Sequence, residues 1–282
     1  MPTPPAPLTL SALYVYPIKS AGGIQLDSSE VGPRGLHLDR RWMVIDQGRQ
    51  PVTQRQFPRM RQLQVTLEGA GLRVEAPGMP RLHVPAQPQN EGRSIDFWGH
   101  EVGGTEVSDE VTAWFSDYLE DGCTLLHLPD DVERWQPTDR PYRSLLAYVD
   151  GNPFNLITAA SLADLNTRSP RPVTVHDFRP NLLIGGDTAP YSEDCWRRIR
   201  VGELHFEVVE SCARCSMVNV TEEGRMSAEP LRTLTRTRQR DRKVPFGQNM
   251  VQDAPYAERT GRLRVGDVLE VLEVGDTPNP MY

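Results

Sequence analysis

Proline and glycine interrupt this chain so often that long helices are disfavoured over most of its length. The 282 residues include 25 prolines and 22 glycines, and both types are spread along the sequence. Proline removes a backbone donor from a helix, and glycine costs conformational entropy inside a regular element. The apolar residues between the interruptions form short, often alternating runs, as strands do. The sequence therefore predicts a mostly β fold with a few helices, of barrel or sandwich type rather than a doubly wound sheet.

Several segments carry the strand pattern in detail. Residues 61–85 predict a meander of three strands separated by a Gly turn and a Gly-Pro turn. Two stretches with a Val-Gly turn, 197–210 and 261–273, predict hairpins. Another strand and a turn are predicted at 216–224. Further strands are predicted at 8–18, 40–46, 123–129 and 178–186.

One helix is clear from the sequence, and a second, shorter one follows a strand within 154–169. Ser108 or Asp109 can cap the first helix, and the apolar side chains that follow recur on one helical face. These side chains are Val111, Trp114, Phe115, Tyr118 and Leu119. The helices are too few to change the prediction of a mostly β protein.

The composition is that of an ordinary soluble protein with one large or two modest domains. The formal net charge of −7 argues against nucleic acid as the main partner, since such proteins usually carry a basic surface. No apolar run approaches the roughly 20 residues that span a bilayer, and no signal peptide is evident. Four cysteines are too few for a disulfide scaffold. We therefore expect a cytoplasmic protein with reduced thiols and with no nucleic-acid or membrane partner.

Cys212 and Cys215 lie three positions apart in ESCARC, residues 210–215. A zinc site would need two further ligands, and a redox dithiol would usually begin a helix after a strand, so both interpretations are weak. Two buried structural cysteines remain an alternative, because free cysteine is among the most buried residue types. Arg214 favours a functional thiolate, since a neighbouring cation lowers a thiol pKa and soft sulfur binds soft metals.

Cationic and amide side chains occur near the ends of other predicted strands. Lys19 and Ser20 follow a proline in YPIKS, and Arg40 is one of two adjacent arginines that would face opposite ways on a strand. Arg179 and Asn181 would share one strand face by the period of two. Each group alone fits an ordinary solvated loop. Together with a thiolate, they indicate a polyanionic ligand bound across a barrel.

Five motifs occur in an order and at a spacing that resemble those of the MOSC proteins, in particular the mitochondrial amidoxime reducing component and its bacterial relatives. The motifs are VYPIKSAGGIQLDSSEVGPRGLHLDRRWMVID, SLADLN, FRPNLLIGG, CARCSMVNV and PFGQN. The resemblance runs from Leu10 to about Glu273. It implies a β-rich MOSC N-terminal domain at 8–128 and a MOSC β-barrel domain at 129–282. The first strands, 8–45, would pack with that barrel.

The resemblance also implies a molybdenum cofactor, a pterin dithiolene with a terminal phosphate. By motif match, Cys215 would be the metal's thiolate ligand and the catalytic residue, with Cys212 as the alternative. Gly151 and Asn152 stand where relatives carry Thr-Ser in a cofactor-contacting loop, so backbone N–H groups would bind there. The implied pterin and phosphate anchors are Lys19, Ser20, Arg40, Arg179 and Asn181.

By the same resemblance, the expected activity is reduction of small N-hydroxylated compounds, such as amidoximes and N-hydroxylated bases. The alternatives are a MOSC-type sulfur carrier or a cofactor carrier in sulfuration, and a non-enzymatic acidic binding barrel. No iron–sulfur spacing and no G-x-G-x-x-G nucleotide motif is present, so the electron donor would be a separate ferredoxin or flavodoxin with its reductase. The basic run 232–243 is its predicted docking surface.

Overall fold

The structure is a computed structural model that describes residues 5–97, 99–137 and 142–282. The prediction of a mostly β fold is confirmed. Over the described residues the strands are, in chain order, β1 (Thr9–Val15), β2 (Ile24–Leu26), β3 (Ser28–Gly32), β4 (Gly35–Leu36), β5 (Trp42–Asp46), β6 (Gln64–Glu68), β7 (Gly71–Glu75), β8 (Leu82–Val84), β9 (Gly92–Phe97), β10 (His100–Glu106), β11 (Cys123–His127), β12 (Phe154–Thr158), β13 (Leu182–Gly185), β14 (Trp196–Val201), β15 (Leu204–Ala213), β16 (Pro245–Gln252), β17 (Gly261–Arg264) and β18 (Leu269–Val274). The α-helices are α1 (Asp109–Leu119), α2 (Ala159–Arg168), α3 (Val175–Phe178) and α4 (Leu231–Arg238). Single 3₁₀ turns occur at Pro58–Gln62, Ser192–Cys195, Ser216–Asn219 and Tyr256–Glu258.

Eight strands form one curled sheet in the order β18-β14-β15-β16-β12-β13-β1-β2. Neighbours are antiparallel except β12 and β13, which run parallel. The sheet closes where Leu10 N donates to Asp267 O at 2.8 Å and Leu269 N donates to Leu8 O at 2.8 Å. Closure leaves an apolar interior, to which Phe206 and other inward-facing side chains of the strands contribute.

The remaining strands form three smaller sheets, β5-β11-β10-β9, β17-β3-β4 and β6-β7-β8. The last of these is the predicted meander, whose strands pair antiparallel in sequence order. Its buried residue Leu72 belongs to a second apolar core, which also contains Trp42 of β5 and Phe115 of α1. A helix face and two sheets thus bury a core separate from the barrel interior.

Helix α1 follows its sequence signals closely. Ser108 is the N-cap, and its hydroxyl oxygen accepts a hydrogen bond from Val111 N at 3.3 Å. The five apolar side chains predicted for one face of this helix are all buried. The second predicted helix is also confirmed, since α2 follows strand β12 directly. Caps and helical periodicity are local signals, so they predict these elements without knowledge of the rest of the fold.

Two predicted strand segments are wrong. Residues 261–273 do not form a hairpin, because β17 pairs with β3 while β18 pairs with β14. Between them, Val265 N donates to Asp27 O and Gly266 N donates to Leu10 O, which carries the chain from one sheet to another. The strand predicted after the cysteine pair is the 3₁₀ turn Ser216–Asn219. The basic run contains helix α4, which the charge pattern did not indicate.

Strands from the start of the chain lie in three different sheets, since β3 and β4 belong to the sheet with β17. β1 and β2 join the barrel sheet, whereas β5 pairs with β11 in the four-stranded sheet. The domain limits 8–128 and 129–282, with 8–45 packed on the barrel, remain predictions.

Candidate functional site

A cavity of about 330 Å³ lies near the ends of β1 and β15 and the starts of β12 and β13. Loops that are far apart in the sequence meet there because these four strands belong to one sheet. The residues singled out from the sequence all line this cavity, and they are Lys19, Ser20, Arg40, Gly151, Asn152, Arg179, Asn181, Cys212 and Cys215. The structure brings them together, and their roles in binding and catalysis remain predictions.

Lys19 is a buried cation on the cavity wall. It is 6% exposed, and its Nζ donates to Asp150 Oδ1 at 2.5 Å and to Tyr148 O at 3.2 Å. The same atom lies 5.1 Å from the centre of the Phe97 ring. Burial lowers the pKa of Lys19, and the neighbouring Asp150 carboxylate opposes that shift. An anion in the cavity would restore part of the stabilisation that the ammonium group lost with its water.

Three lining residues have left-handed backbone conformations. The φ angles of Ser20, Arg40 and Arg179 are 66°, 49° and 54°. Such conformations cost about 1–3 kcal/mol each for a non-glycine residue and are concentrated at functional sites. Arg179 ends helix α3, and Arg40 lies in a turn before β5. The predictions that Arg40 lies on a strand, and that Arg179 and Asn181 share a strand face, are therefore wrong.

Arg40 and Arg179 pack on one tyrosine ring. Their Cζ atoms lie 4.4 Å and 4.3 Å from the centre of the Tyr16 ring. Arg40 forms an ion pair with Asp39 and donates from Nη2 to Arg179 O at 3.0 Å. Burial, together with the charge of Arg40, lowers the pKa of Arg179 to about 9. A bound anion would relieve the repulsion between these two guanidinium groups.

Asn181 and Arg214 hold the strand ends around the cavity. Asn181 donates from Nδ2 to Tyr14 O at 3.1 Å and accepts at Oδ1 from Asn155 N at 3.1 Å. Arg214 donates to Asn155 Oδ1 at 3.0 Å and from Nε to Phe246 O at 2.7 Å. These bonds connect β1, β12, β13 and β16 with the end of β15 and the residues after it, which carry the cysteine pair. Both side chains therefore fix the shape of the cavity.

The two cysteines of the pair differ in exposure. Cys215 is exposed and immediately precedes the 3₁₀ turn, whereas Cys212 is half-buried. Burial raises the pKa of Cys212 and outweighs the opposing effect of Arg214. Arg214 thus acts on Cys212 in the expected direction, but its effect is smaller than that of burial. All four cysteines are free thiols. In the described ranges, no group of three or more His, Cys, Asp or Glu side chains is placed to hold a metal ion.

Glu210 is a buried carboxylate in the cavity that the sequence analysis missed. Its Oε1 accepts from Asn152 Nδ2 at 2.6 Å and from Asn249 Nδ2 at 2.9 Å. Gln136 completes the network, donating from Nε2 to Gly151 O at 2.8 Å and to Asn152 Oδ1 at 3.2 Å. A sequence signal existed, since Glu210 lies at an inward position of β15 by the period of two. The network fixes the loop that carries Gly151 and Asn152.

The charges of the cavity favour an anionic ligand. Five of its described lining residues are cations and three are carboxylates. The cations are Lys19, Arg40, Arg55, Arg179 and Arg214, and the carboxylates are Asp150, Asp177 and Glu210. A polar cavity with an excess of cations attracts a ligand with several negative charges.

The basic run divides into bound and exposed residues. Arg238 forms an ion pair with Asp194, Arg240 donates to Asn279 O at 2.6 Å, and Lys243 donates to Met281 O at 2.9 Å. The other three cations are exposed, and we call them the basic face: Arg232, Arg236 and Arg242. The sequence predicted that the whole run is a docking surface. Three of its six cations instead bind other parts of the fold, so only the basic face remains as a candidate docking surface.

Comparison with known proteins first gives the class of protein that the two halves of the chain resemble. Residues 7–122 match the MOSC N-terminal beta barrel domain, and residues 144–270 match the MOSC domain. Both regions contribute residues to the cavity.

Two relatives then give the family. The chain is 34% identical over 280 residues to mitochondrial amidoxime reducing component 2 of Rattus norvegicus, covering 92% of this chain and 82% of that protein. It is 32% identical over 286 residues to mitochondrial amidoxime-reducing component 1 of Homo sapiens, covering 94% and 83%. The chain belongs to the family of MOSC proteins that includes these amidoxime reducing components.

A third relative has a different name and length. The chain is 31% identical over 262 residues to molybdenum cofactor sulfurase of Oryza sativa subsp. japonica, covering 84% of this chain and 32% of that protein. The names of the relatives thus connect the family with amidoxime reduction and with the molybdenum cofactor.

The expected cytoplasmic location is contradicted by the same comparisons. The amidoxime reducing components of rat, cattle and human are named as mitochondrial proteins. Composition and the lack of a recognised targeting signal had supported the cytoplasm, and neither property distinguishes cellular compartments reliably. Within the described part of the chain, no helix combines the length and apolar character needed to cross a membrane.

Proposed function

We propose that this chain is a molybdenum-cofactor-dependent reductase of N-hydroxylated compounds, including amidoximes and N-hydroxylated bases. The observation that carries the proposal is the cavity itself, where an exposed thiol and an excess of cations lie together. The family relationship supports it, because relatives over most of their length are named for amidoxime reduction.

The lining residues fit the chemistry of a pterin dithiolene with a phosphate. Cys215 offers an exposed soft sulfur ligand for the metal. Lys19 and Arg179 are the cations for the phosphate, with Ser20 and Arg40 as further anchors. The cavity volume of about 330 Å³ lies within the range of small-molecule sites, roughly 300–1,000 Å³.

Reduction of an amidoxime consumes two electrons and two protons and yields an amidine and water. When bound, the cofactor would supply the metal centre at which the N–O bond is cleaved. The chain's own residues bind and orient the cofactor and the substrate. Lys19 and Arg179 neutralise anionic charge, while Glu210 and Asn152 keep the adjoining loop fixed. The electrons would come from a separate ferredoxin- or flavodoxin-type protein with its reductase, attracted by the basic face.

The test is reduction of benzamidoxime by protein loaded with molybdenum cofactor, with a chemically reduced viologen as electron source. We expect bound molybdenum and formation of benzamidine. Cys215→Ser should abolish turnover because an alkoxide is a harder, poorer ligand for this metal. Cys195→Ser is the matched control, since Cys195 is a free thiol outside the cavity lining. A Cys215→Ser protein with wild-type turnover would refute the assignment.

A second candidate is a sulfur carrier or a carrier of the cofactor during sulfuration. The similarity to the rice molybdenum cofactor sulfurase favours it, as does the exposure of the Cys215 thiol. Intact-mass analysis distinguishes the candidates. A persulfide on Cys215 in protein without molybdenum would support the carrier, whereas molybdenum with an unmodified thiol supports the reductase.

A further inference from the structure

A second cavity, of about 430 Å³, shares one lining residue with the first, the buried cation Arg179. It is formed by the loop between β1 and β2, the start of β6 with the 3₁₀ turn before it, and helix α3. Its volume lies within the range of small-molecule sites, roughly 300–1,000 Å³. The two cavities are therefore separate spaces in the described part of the chain, and one guanidinium group lines both.

Arg61 is a second buried cation of this cavity, with a side chain that is 7% exposed. It donates to His176 O and, from Nη2, to Asp177 Oδ1 at 3.3 Å. Asp177 also pairs with Arg171, whose Nη1 lies 3.5 Å from Oδ2, so two guanidinium groups share this carboxylate. A guanidinium group has more N–H donors than these two acceptors use. Arg61 can therefore bind a further acceptor.

Arg179 also has charge to offer a ligand. It is 7% exposed, and its Nη1 donates to the backbone oxygen of Ala21. Among the described residues it forms no ion pair with a carboxylate. Burial lowers the pKa of Arg179, and the positive charges of Arg40 and Arg61 lower it further. An anion beside Arg61 and Arg179 would offset part of this repulsion.

The other lining residues fit an organic anion. The amide side chain of Gln64 is exposed at the start of β6, and the one carboxylate among the described lining residues, Glu222, is also exposed. Burial lowers the pKa of His176, so its ring adds no positive charge at neutral pH. Three lining residues are apolar, and they are Leu63, Val65 and Pro77. A ligand with an apolar body and one anionic head matches this lining.

We propose that the second cavity binds a small organic carboxylate, whose two oxygens accept hydrogen bonds from Arg61 and Arg179. The guanidinium group suits this ligand because its planar fork of donors matches a carboxylate. Since Arg179 also lines the cofactor cavity, an anion in one cavity weakens the attraction of this cation for an anion in the other. The site goes beyond the proposed reductase function and exists independently of it.

The experiment titrates benzoate into the full chain by isothermal titration calorimetry. Arg61→Met removes one cation, and Gln64→Glu places a negative charge on the cavity wall at nearly constant size. Gln87→Glu is the matched control, because Gln87 is an exposed glutamine that lines neither cavity. Lys19→Met removes a cation from the first cavity alone. Melting temperature is measured for each protein, so that a folding defect in Arg61→Met is recognised and Gln64→Glu then decides.

We expect the Kd for benzoate to rise at least about tenfold in Arg61→Met, the effect of one charge-assisted bond. It should rise about three- to tenfold in Gln64→Glu. Gln87→Glu and Lys19→Met should bind benzoate as the wild type does. Absence of binding by the wild type, or weaker binding in Lys19→Met without a change in Gln64→Glu, would overturn the proposed site.

The coupling is tested by repeating the titration with cofactor-loaded protein. Benzoate should bind about fivefold or more weakly than in cofactor-free protein, because two anions then share Arg179. Equal affinity in the two forms would overturn the coupling. If the chain retains no molybdenum cofactor, the proposed function fails, whereas the titrations of the variants still decide whether the second cavity is a carboxylate site.

Discussion

Replacing Lys19 by methionine removes one buried cation from the cavity and leaves its apolar stem in place. In the structure the Nζ atom has two acceptors, Asp150 Oδ1 and Tyr148 O. A charge-assisted hydrogen bond to a phosphate contributes about 1.5–3 kcal/mol. At 1.36 kcal/mol per tenfold change, Lys19→Met should weaken cofactor binding roughly 10- to 150-fold.

The same substitution should not unfold the protein. Asp150, which loses this one partner, has a side chain that is 67% exposed, so the lost pair is worth about 0–1 kcal/mol. Burial holds the pKa of Lys19 below its ordinary value of 10.5. The folded protein therefore releases this proton at lower pH than the unfolded chain. The free energy of unfolding of the wild type should therefore increase relative to that of Lys19→Met as pH rises from the lowered pKa to 10.5. Affinity for an anion should fall over the same interval.

The assay incubates cofactor-free protein with graded amounts of molybdenum cofactor, removes unbound ligand and measures retained molybdenum. A parallel titration with inorganic phosphate from pH 7 to pH 10 follows the loss of affinity. Arg200→Met is the matched control, since it removes one cation of an exposed ion pair with Glu270, outside the cavity. If Lys19→Met retains as much molybdenum as Arg200→Met at every concentration, the phosphate-anchor argument is refuted.

Three further predictions follow from other parts of the structure. Cys212→Ser should lower benzamidoxime turnover less than Cys215→Ser does, because Cys212 is half-buried whereas Cys215 is exposed. A larger loss in Cys212→Ser would make Cys212, not Cys215, the proposed metal ligand. Replacing the three arginines of the basic face by glutamine should slow turnover with reduced ferredoxin and flatten its salt dependence, while turnover with viologen stays unchanged; equal salt slopes would contradict steering. Burial raises the pKa of Glu193, so stability should fall as pH rises from 4.5 through that raised pKa, and Glu193→Gln should flatten the thermal-denaturation profile there.

The sequence indicated which residues line the cavity better than it predicted their local backbone geometry. Lys19, Arg179 and Cys215 were found by motif, and they line one cavity. Periodicity placed Arg179 on a strand, but it ends a helix in a left-handed conformation that a two-residue pattern cannot represent. Side-chain identity at a site follows chemistry, whereas backbone geometry there depends on the surrounding fold.

Long-range pairing explains what the sequence did not show. Glu210 and Asn249 meet because β15 pairs with β16, and Tyr282 reaches the cavity because Asn279 is held by groups from β14 and β16. None of these neighbours is close in sequence. In contrast, α1 and the meander were predicted because their signals lie within a few residues.

The position of β1 inside the barrel sheet has a consequence for synthesis. Tyr14 O accepts its hydrogen bond from Asn181, 167 positions later in the chain. At about 5–20 residues per second, a ribosome takes roughly 8–33 seconds to make that partner. Through this interval the edge of β1 that later pairs with β13 is open to other nascent chains. The meander needs no such delay, because its strands emerge in succession. Barrel closure should therefore be the late, aggregation-sensitive step in the biogenesis of this protein.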